Sequence, residues 1–177
     1  MDDLAGRSAI FKAAGLKKGL VLDIGMGDCG CMSFFLAKKG FDVIGIDRSP
    51  KAIHDSRKHA EKQQFKGTFK AKLANAENLS FKDSEFDAIV AYDSIHHMDD
   101  VKKVIHEMFR VCKKGGIVLI SDPHEKGQKS AGCKFDEELP KTIVKVLAKH
   151  AKSIRKLKTK RNMTYICRKN DKQEDSD

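Results

Sequence analysis

The chain has 177 residues, 40% hydrophobic and 34% charged, and a formal net charge of +10. That length suits one well-filled core and is too short for two ordinary domains. The composition excludes a wholly disordered chain, and no apolar run approaches the roughly 20 residues that a membrane span needs.

The opening segment MDDLAGRSAIFKAAG is acidic first and lacks the order of a secretory signal, so a cytoplasmic protein is expected. Leu20 to Ile24 reads as a short buried strand, and Gly30 to Lys39 as a helix with Met32, Phe35, Leu36 and Lys39 at helical spacing. Asp42 to Asp47 forms a second strand. Ser49 as N-cap with Pro50 at the first helical position starts the next helix, and Gly67 closes the turn after it. Thr68 to Leu73, Phe86 to Tyr92 and Gly116 to Ser121 are the third to fifth strands. Between the last two, Val101, Val104, Ile105, Met108, Phe109 and Cys112 make one apolar stripe on a helix that the glycine pair 115–116 ends. After Pro140 a helix turns Ile143, Val146, Leu147 and Ala151 inward and Lys141, Lys145, Lys149 and Lys152 outward. Ile154 to Thr159 and Met163 to Arg168 read as a closing hairpin. Strand-helix alternation of this kind is an α/β sheet, doubly wound, with seven strands and about five helices. It places one domain over residues 1–169 and a disordered acidic tail over 170–177.

The segment VLDIGMGDCGCMSFF joins the first strand to the first of these helices through Gly25, Gly27 and Gly30. Such a loop puts backbone N–H groups beside a ligand and lets it approach closely. In the nicotinamide version it meets a pyrophosphate, which a carboxylate at Asp23 would repel. A ligand with an ammonium group, a ribose and an adenine but no phosphate tolerates Asp23.

With that loop come GFDVIGIDRSPKAI, AENLSFKDSEFDAIVAYDSIHHM and FRVCKKGGIVLISD, in order over residues 18 to 122. On these four motifs the chain resembles a class I S-adenosylmethionine-dependent methyltransferase, nearest to the small-metabolite and quinone-biosynthesis group. The resemblance implies a single Rossmann-like seven-stranded sheet, mostly parallel with an antiparallel closing hairpin. It implies that Asp23, Gly25, Met26 and Gly27 surround the methionine part of S-adenosylmethionine, and that Asp47 takes both ribose hydroxyls. Arg48 would lie against the adenine, Asn75 and Ala76 at its edge, and Asp93 near the methyl group and the amine. The chain departs from the family pattern in three places: the third glycine falls at Gly30 rather than at Cys29, Asn75 stands where Asp is usual, and Lys114 replaces a proline. Asn75 keeps a side-chain oxygen able to accept from an amino group.

Adjacent His96 and His97 point apart on a helical turn and do not chelate together. Asp93 with His97, i and i+4, is the better catalytic pair, and His124, at the carboxyl edge of the fifth strand, is a second candidate base. Cys29, Cys31, Cys112, Cys133 and Cys167 make an odd count without paired spacing, which argues for reduced thiols and against a zinc site. No metal is expected.

Residues 141 to 169 hold eleven Lys and Arg and no Asp or Glu, and residues 170 to 177 carry a net −3. The basic block reads as a solvated helix face and a guarded edge strand, with a nucleic-acid partner through Lys141–Lys169 left open. The acceptor expected is a small molecule. An RNA or protein methyltransferase, a non-catalytic S-adenosylmethionine-binding subunit and a nicotinamide reductase are the alternatives. No cap domain encloses a substrate, so a large substrate, a homo-oligomer or a fold-over of the N-terminal segment must do so.

Overall fold

In β1 (Leu20–Ile24) Val21 packs toward one side and Leu22 and Ile24 toward the other, all of them buried, as in a strand covered on both faces. The same alternation runs through β4 (Phe86–Tyr92), where Ala88 and Val90 oppose Ile89 and Ala91. It recurs in β5 (Cys112–Pro123), where Ile117 and Leu119 oppose Val118 and Ile120. The computed structural model describes residues 4–125 and 136–171. It adds β2 (Asp42–Asp47), β3 (Thr68–Leu73), β6 (Ala151–Lys158) and β7 (Asn162–Lys169) to form one sheet of order β3-β2-β1-β4-β5-β7-β6. β1 to β5 run parallel, and β7 lies antiparallel between β5 and β6. The strand order reverses at β1, between β2 and β4, and that switch point opens a crevice at the carboxyl edge.

Helices close both faces. On one, Ile10 and Ala14 of α1 (Leu4–Ala14) and Met32, Phe35 and Leu36 of α2 (Cys31–Lys38) pack with Val43, Val90 and Leu119. On the other, Val104, Ile105, Met108 and Phe109 of α4 (Val101–Val111) meet Ile143, Val146 and Leu147 of α5 (Glu138–His150) over Leu22 and Ile89. α3 (Pro50–Ala60) starts as expected, with the Ser49 hydroxyl accepting from the Ala52 N–H at 3.3 Å and Pro50 in the first turn. Asp100 caps α4 in the same way, accepting from the Lys103 N–H at 3.0 Å. No helix among the described residues is long and apolar enough to cross a membrane.

Four expectations are corrected. α1 is a helix that the sequence reading left unassigned, and it lies on a sheet face rather than folding over the carboxyl edge, with the Arg7 guanidinium bonded to the Cys31 carbonyl at 2.7 Å. The glycine pair does not end α4. β5 begins directly at Cys112, and Lys113–Gly116 bulge out, because Phe86 pairs with Cys112 while Ala88 pairs with Ile117. Ala151 belongs to β6, which α5 enters with no intervening loop. Cys29 and Cys31 are joined as a disulfide: left-handed Gly30 folds the turn so that their Cα atoms stand 5.1 Å apart, inside bridging range. Cys112 and Cys167 are free thiols, and burial pushes each up to about 12; Cys133 lies outside the described residues. So does most of the acidic tail, although Asn170 donates to the His150 carbonyl and Asp171 pairs with Lys152.

Candidate functional site

Each of four parallel strands carries an aspartate at or near its carboxyl end: Asp23 in β1, Asp47 in β2, Asp93 just past β4, Asp122 in β5. The fold sends them in different directions. Alternation along β1 turns Asp23 toward α2, where its carboxylate accepts from the Ser33 hydroxyl at 2.6 Å and is 1% exposed. Burial pushes Asp23 up to about 7, with the Ser33 hydrogen bond working against the rise. Asp23 therefore ties β1 to α2 through Ser33 and does not line the cavity at the strand ends, contrary to expectation.

That cavity, of about 350 Å³, sits at the switch point, between the loop after β1, the ends of β2 and β3 and the turn after β4. Gly25, Gly27, Asp47, Arg48, Asn75, Ala76, Asp93 and His97 line it as expected, joined by Ile46, Glu77 and Met98. Gly25 has φ +68 and packs so closely on Ser94 that a Cβ would fall 2.7 Å from that side chain. At Gly27 (φ +67) a Cβ would meet nothing within 4 Å, so the loop faces open space there. Met26, expected at the ligand, instead turns back to pack with Ile53 and Ala71, because its neighbours on both sides are the residues that face the cavity.

The Asp47 carboxylate is fixed by two backbone donors, the Gly27 N–H at 3.0 Å and the Ser49 N–H at 2.9 Å, one on each oxygen. Each oxygen keeps a second lone pair. This is a rigid acceptor pair suited to a vicinal diol. Arg48 lines the rim, but its guanidinium pairs with Asp99 at 2.7 Å rather than lying over a ring. The Asn75 oxygen accepts from the Glu77 N–H at 3.0 Å, so its amide donors are the groups less engaged. Ile46, Ala74, Ala76 and Met98 give the apolar walls that a flat base requires.

Asp93 is one of two described non-glycine residues with positive φ, at 54°. The Asp93 N–H donates to the Ser121 carbonyl at 2.8 Å, and its carboxylate accepts from the Asn162 amide at 2.6 Å, with the Arg161 guanidinium 3.8 Å away. Burial raises its pKa, opposed by Asn162 and Arg161. The left-handed kink breaks the i, i+4 relation assumed for Asp93 and His97. Both line the cavity, but the pair that hydrogen-bonds is His96 with Asp122. Asp122 accepts from the His96 backbone N–H at 3.0 Å and meets its Nδ1 at 2.9 Å, which raises the His96 pKa. The His97 ring lies tilted against His96 with centroids 3.9 Å apart, and burial lowers its pKa, which favours the neutral form at pH 7. His124 is not with them: it lines a separate cavity beyond β5.

Asn162, Arg161, His96 and Asp122 are the polar residues that the sequence reading missed at this edge. One signal was present, the recurrence of aspartate at strand ends. The basic block also reaches this edge, through Arg161 beside Asp93 and Lys158 in the cavity beyond β5. Among the described residues no cluster of three or more His, Cys, Asp or Glu is arranged to hold a metal ion.

The donor set fits S-adenosylmethionine. Asp47, Glu77 and Asp93 bring carboxylates to the wall, against Arg48 that is already paired and His97 that favours its neutral form. A pyrophosphate is repelled by such a wall, and a ligand carrying sulfonium and ammonium charges is attracted. The repelling charge is thus that of Asp47 and its neighbours on the wall rather than of Asp23.

A family model described as a methyltransferase domain matches residues 16–171. The chain is 36% identical over 106 residues to the ubiquinone biosynthesis O-methyltransferase of Pelagibacter ubique, covering 60% of this chain and 42% of that protein. It is 30% identical over 132 residues to the norajmaline N-methyltransferase of Rauvolfia serpentina, covering 74% and 45%. It thus spans less than half the length of these curated relatives. A solved S-adenosylmethionine-dependent methyltransferase from Methanosarcina mazei superposes with a TM-score of 0.72 at 24% identity, over 91% of this chain and 97% of that one. A 4+2 cyclase superposes with a TM-score of 0.75 at 16% identity, over 94% and 80%. Such likenesses concern the fold alone.

Proposed function

The chain belongs to the methyltransferase domain family, and from that premise we propose that it transfers a methyl group from S-adenosylmethionine to a small-molecule acceptor. One observation carries the reading: an acid-rich cavity at the switch point, in which both oxygens of Asp47 are fixed by backbone donors and still have lone pairs to offer. The curated relatives, named as O- and N-methyltransferases, support a small acceptor and leave the accepting atom open.

When bound, S-adenosylmethionine supplies an electrophilic methyl carbon. The residues of the chain supply position and proton transfer. Asp47 would anchor the ribose, Gly25 and Gly27 would let the methionine part approach the backbone, and Ala76 and Met98 would hold the base. Fixing donor and acceptor in line contributes up to about 7 to 11 kcal/mol of barrier lowering. Asp93, held by Asn162, and His97, whose neutral form is favoured at pH 7, are the bases able to take a proton from an acceptor that carries one. His124 lies outside this cavity and is dropped from the role.

Titration calorimetry with S-adenosylmethionine, S-adenosylhomocysteine and NAD tests the cofactor assignment. Binding of the first two and not the third is expected. Binding of NAD alone would overturn it. Turnover against phenols, amines and RNA then tests the acceptor class, and methylation of RNA alone would overturn the small-molecule reading.

A further inference from the structure

The glycine loop is tied down in two ways. Its first part is held by backbone: the Gly25 and Met26 N–H groups donate to the Ile46 carbonyl at 2.9 and 3.0 Å, and the Gly27 N–H donates to Asp47. Its second part, Asp28 to Cys31, is held by a covalent ring, the Cys29–Cys31 disulfide closed over left-handed Gly30. His59 Nδ1 meets the Asp28 carbonyl at 3.1 Å, and Arg7 donates to the Cys31 carbonyl at 2.7 Å. The methyl-transfer chemistry makes no use of this ring.

The two sulfurs stand in unlike places. Cys29 is exposed, whereas Cys31 is partly buried as the first residue of α2, with its N–H donating to Cys29 Sγ at 3.2 Å. An incoming thiolate therefore reaches Cys29, and access decides which sulfur is attacked. The departing Cys31 thiolate forms at the N-terminus of α2, where the helix dipole stabilises negative charge. The Asp28 carboxylate, next in sequence, works against an anionic attacker, yet Cys29 stays exposed beside it. Cys112 and Cys167 are buried and offer no such approach.

We propose that Cys29 and Cys31 form an exchange site for a low-molecular-weight thiol, and that their disulfide form grips the cofactor more tightly than their dithiol form; the second half rests on the methyltransferase reading above. A thiolate attacks Cys29 Sγ, the disulfide bond breaks, and its electron pair leaves on Cys31, which gives a mixed disulfide at Cys29. A second thiolate attacks the outer sulfur of that mixed disulfide and expels the Cys29 thiolate. Two small thiols are thereby oxidised to their disulfide, the pair is reduced by two electrons, and the two protons end on Cys29 and Cys31. Cys29 lies two residues past Gly27, whose N–H fixes Asp47, so opening the ring frees the segment next to that bond. A loop already held in its binding shape loses less freedom when the ligand arrives.

The test uses the full chain in glutathione buffers of graded potential, with the state of each cysteine assigned by alkylation and peptide mapping. Cys29 and Cys31 are expected to pass together between disulfide and dithiol, and C31S to trap glutathione on Cys29. A pair that keeps one state at every potential, or C29S carrying as much glutathione on Cys31, would overturn the exchange site. Calorimetry is expected to find S-adenosylhomocysteine bound about fivefold more tightly by the disulfide form, the lower end of measured couplings between sites. By linkage, saturating S-adenosylhomocysteine should move the midpoint of the pair about 20 mV toward more reducing potentials, since a tenfold change is about 30 mV for a two-electron couple. The double variant C29S/C31S cannot close the ring and is expected to bind as the dithiol form does at every potential. Equal affinity of the two forms with an unmoved midpoint, or a redox dependence that survives in the double variant, would overturn the coupling. A chain that binds S-adenosylhomocysteine in neither form loses the methyltransferase reading, while the mapping still decides the exchange site.

Discussion

The two halves of the carboxyl edge are built differently. Around β1 and β2 the site is made by the backbone: Asp47 bonds the N–H groups of Gly27 and Ser49, and the loop needs glycine because Gly25 meets Ser94 and Gly27 faces open space. Around β5 and β7 it is made by side chains far apart in sequence, Asp93 with Asn162 and His96 with Asp122. The first half recognises a fixed ligand through fixed geometry. The second half sets charge and proton affinity through these paired side chains.

Breaking the first half should have the largest effect. Asp47→Ala removes a charged acceptor of two hydrogen bonds, each worth about 1.5 to 3 kcal/mol, so S-adenosylhomocysteine affinity is expected to fall by about a hundredfold or more. Unchanged affinity by calorimetry in a folded variant would remove Asp47 from the site and dissolve the contrast.

Asp23→Asn acts between β1 and α2, on stability. Asp23 holds its proton up to about pH 7 in the folded protein, against an ordinary value of 3.8, so the folded state binds the extra proton between those values. Stability accordingly falls as pH rises from about 4 to 7 and stays low above that. The variant is expected to be more stable than the parent by about 2 to 4 kcal/mol at pH 8, with the difference closing toward pH 4 in thermal melts. Its cofactor affinity should change far less than that of Asp47→Ala; an equal loss would return Asp23 to the cavity wall.

In the second half, Asn162→Asp sets a carboxylate where an amide now donates to Asp93 at 2.6 Å. Like charges disfavour ionisation, so the acidic limb of the kcat/KM profile should move to higher pH, with turnover at pH 7 down about tenfold. An unmoved profile with intact cofactor binding would mean that β7 only fills the sheet. The smallest effect is expected on the outer rim: reversing Lys145, Lys149 and Lys156 to Glu should change turnover by less than about twofold, as solvated surface charges do. A large loss in that variant would bring an anionic macromolecule into the reaction.

The contrast also explains what could be read from the sequence. The strand pattern, the glycine turn, the place of Asp47 at the end of β2 and the cap at Ser49 were legible because each depends on residues within a few positions of one another. Asp23 was misplaced although the signal was local: period-two alternation puts it on the same face as Val21, toward α2, not toward the edge. Asp93 and His97 were paired by assuming a helical turn that the positive φ of Asp93 prevents. His96 with Asp122, and Asn162 with Asp93, join residues 26 and 69 positions apart, and no spacing rule reaches that far. β5 was begun too late because the bulge opposite Phe86 and Ala88 is a property of two strands together.

The position of β7 between β5 and β6 has a consequence for the order in which the protein comes into being. A ribosome that has just made Pro123 must add another 46 residues before Lys169 is complete, roughly 2 to 9 s at about 5 to 20 residues per second. For that interval β5 is an open apolar edge with no partner on its outer side, a strand of the kind that pairs with other chains. The arriving hairpin closes the edge and in the same movement delivers Asn162 and Arg161 to Asp93, so a nascent chain already carrying its glycine loop and Asp47 cannot hold the Asp93 carboxylate until its vulnerable edge is sealed.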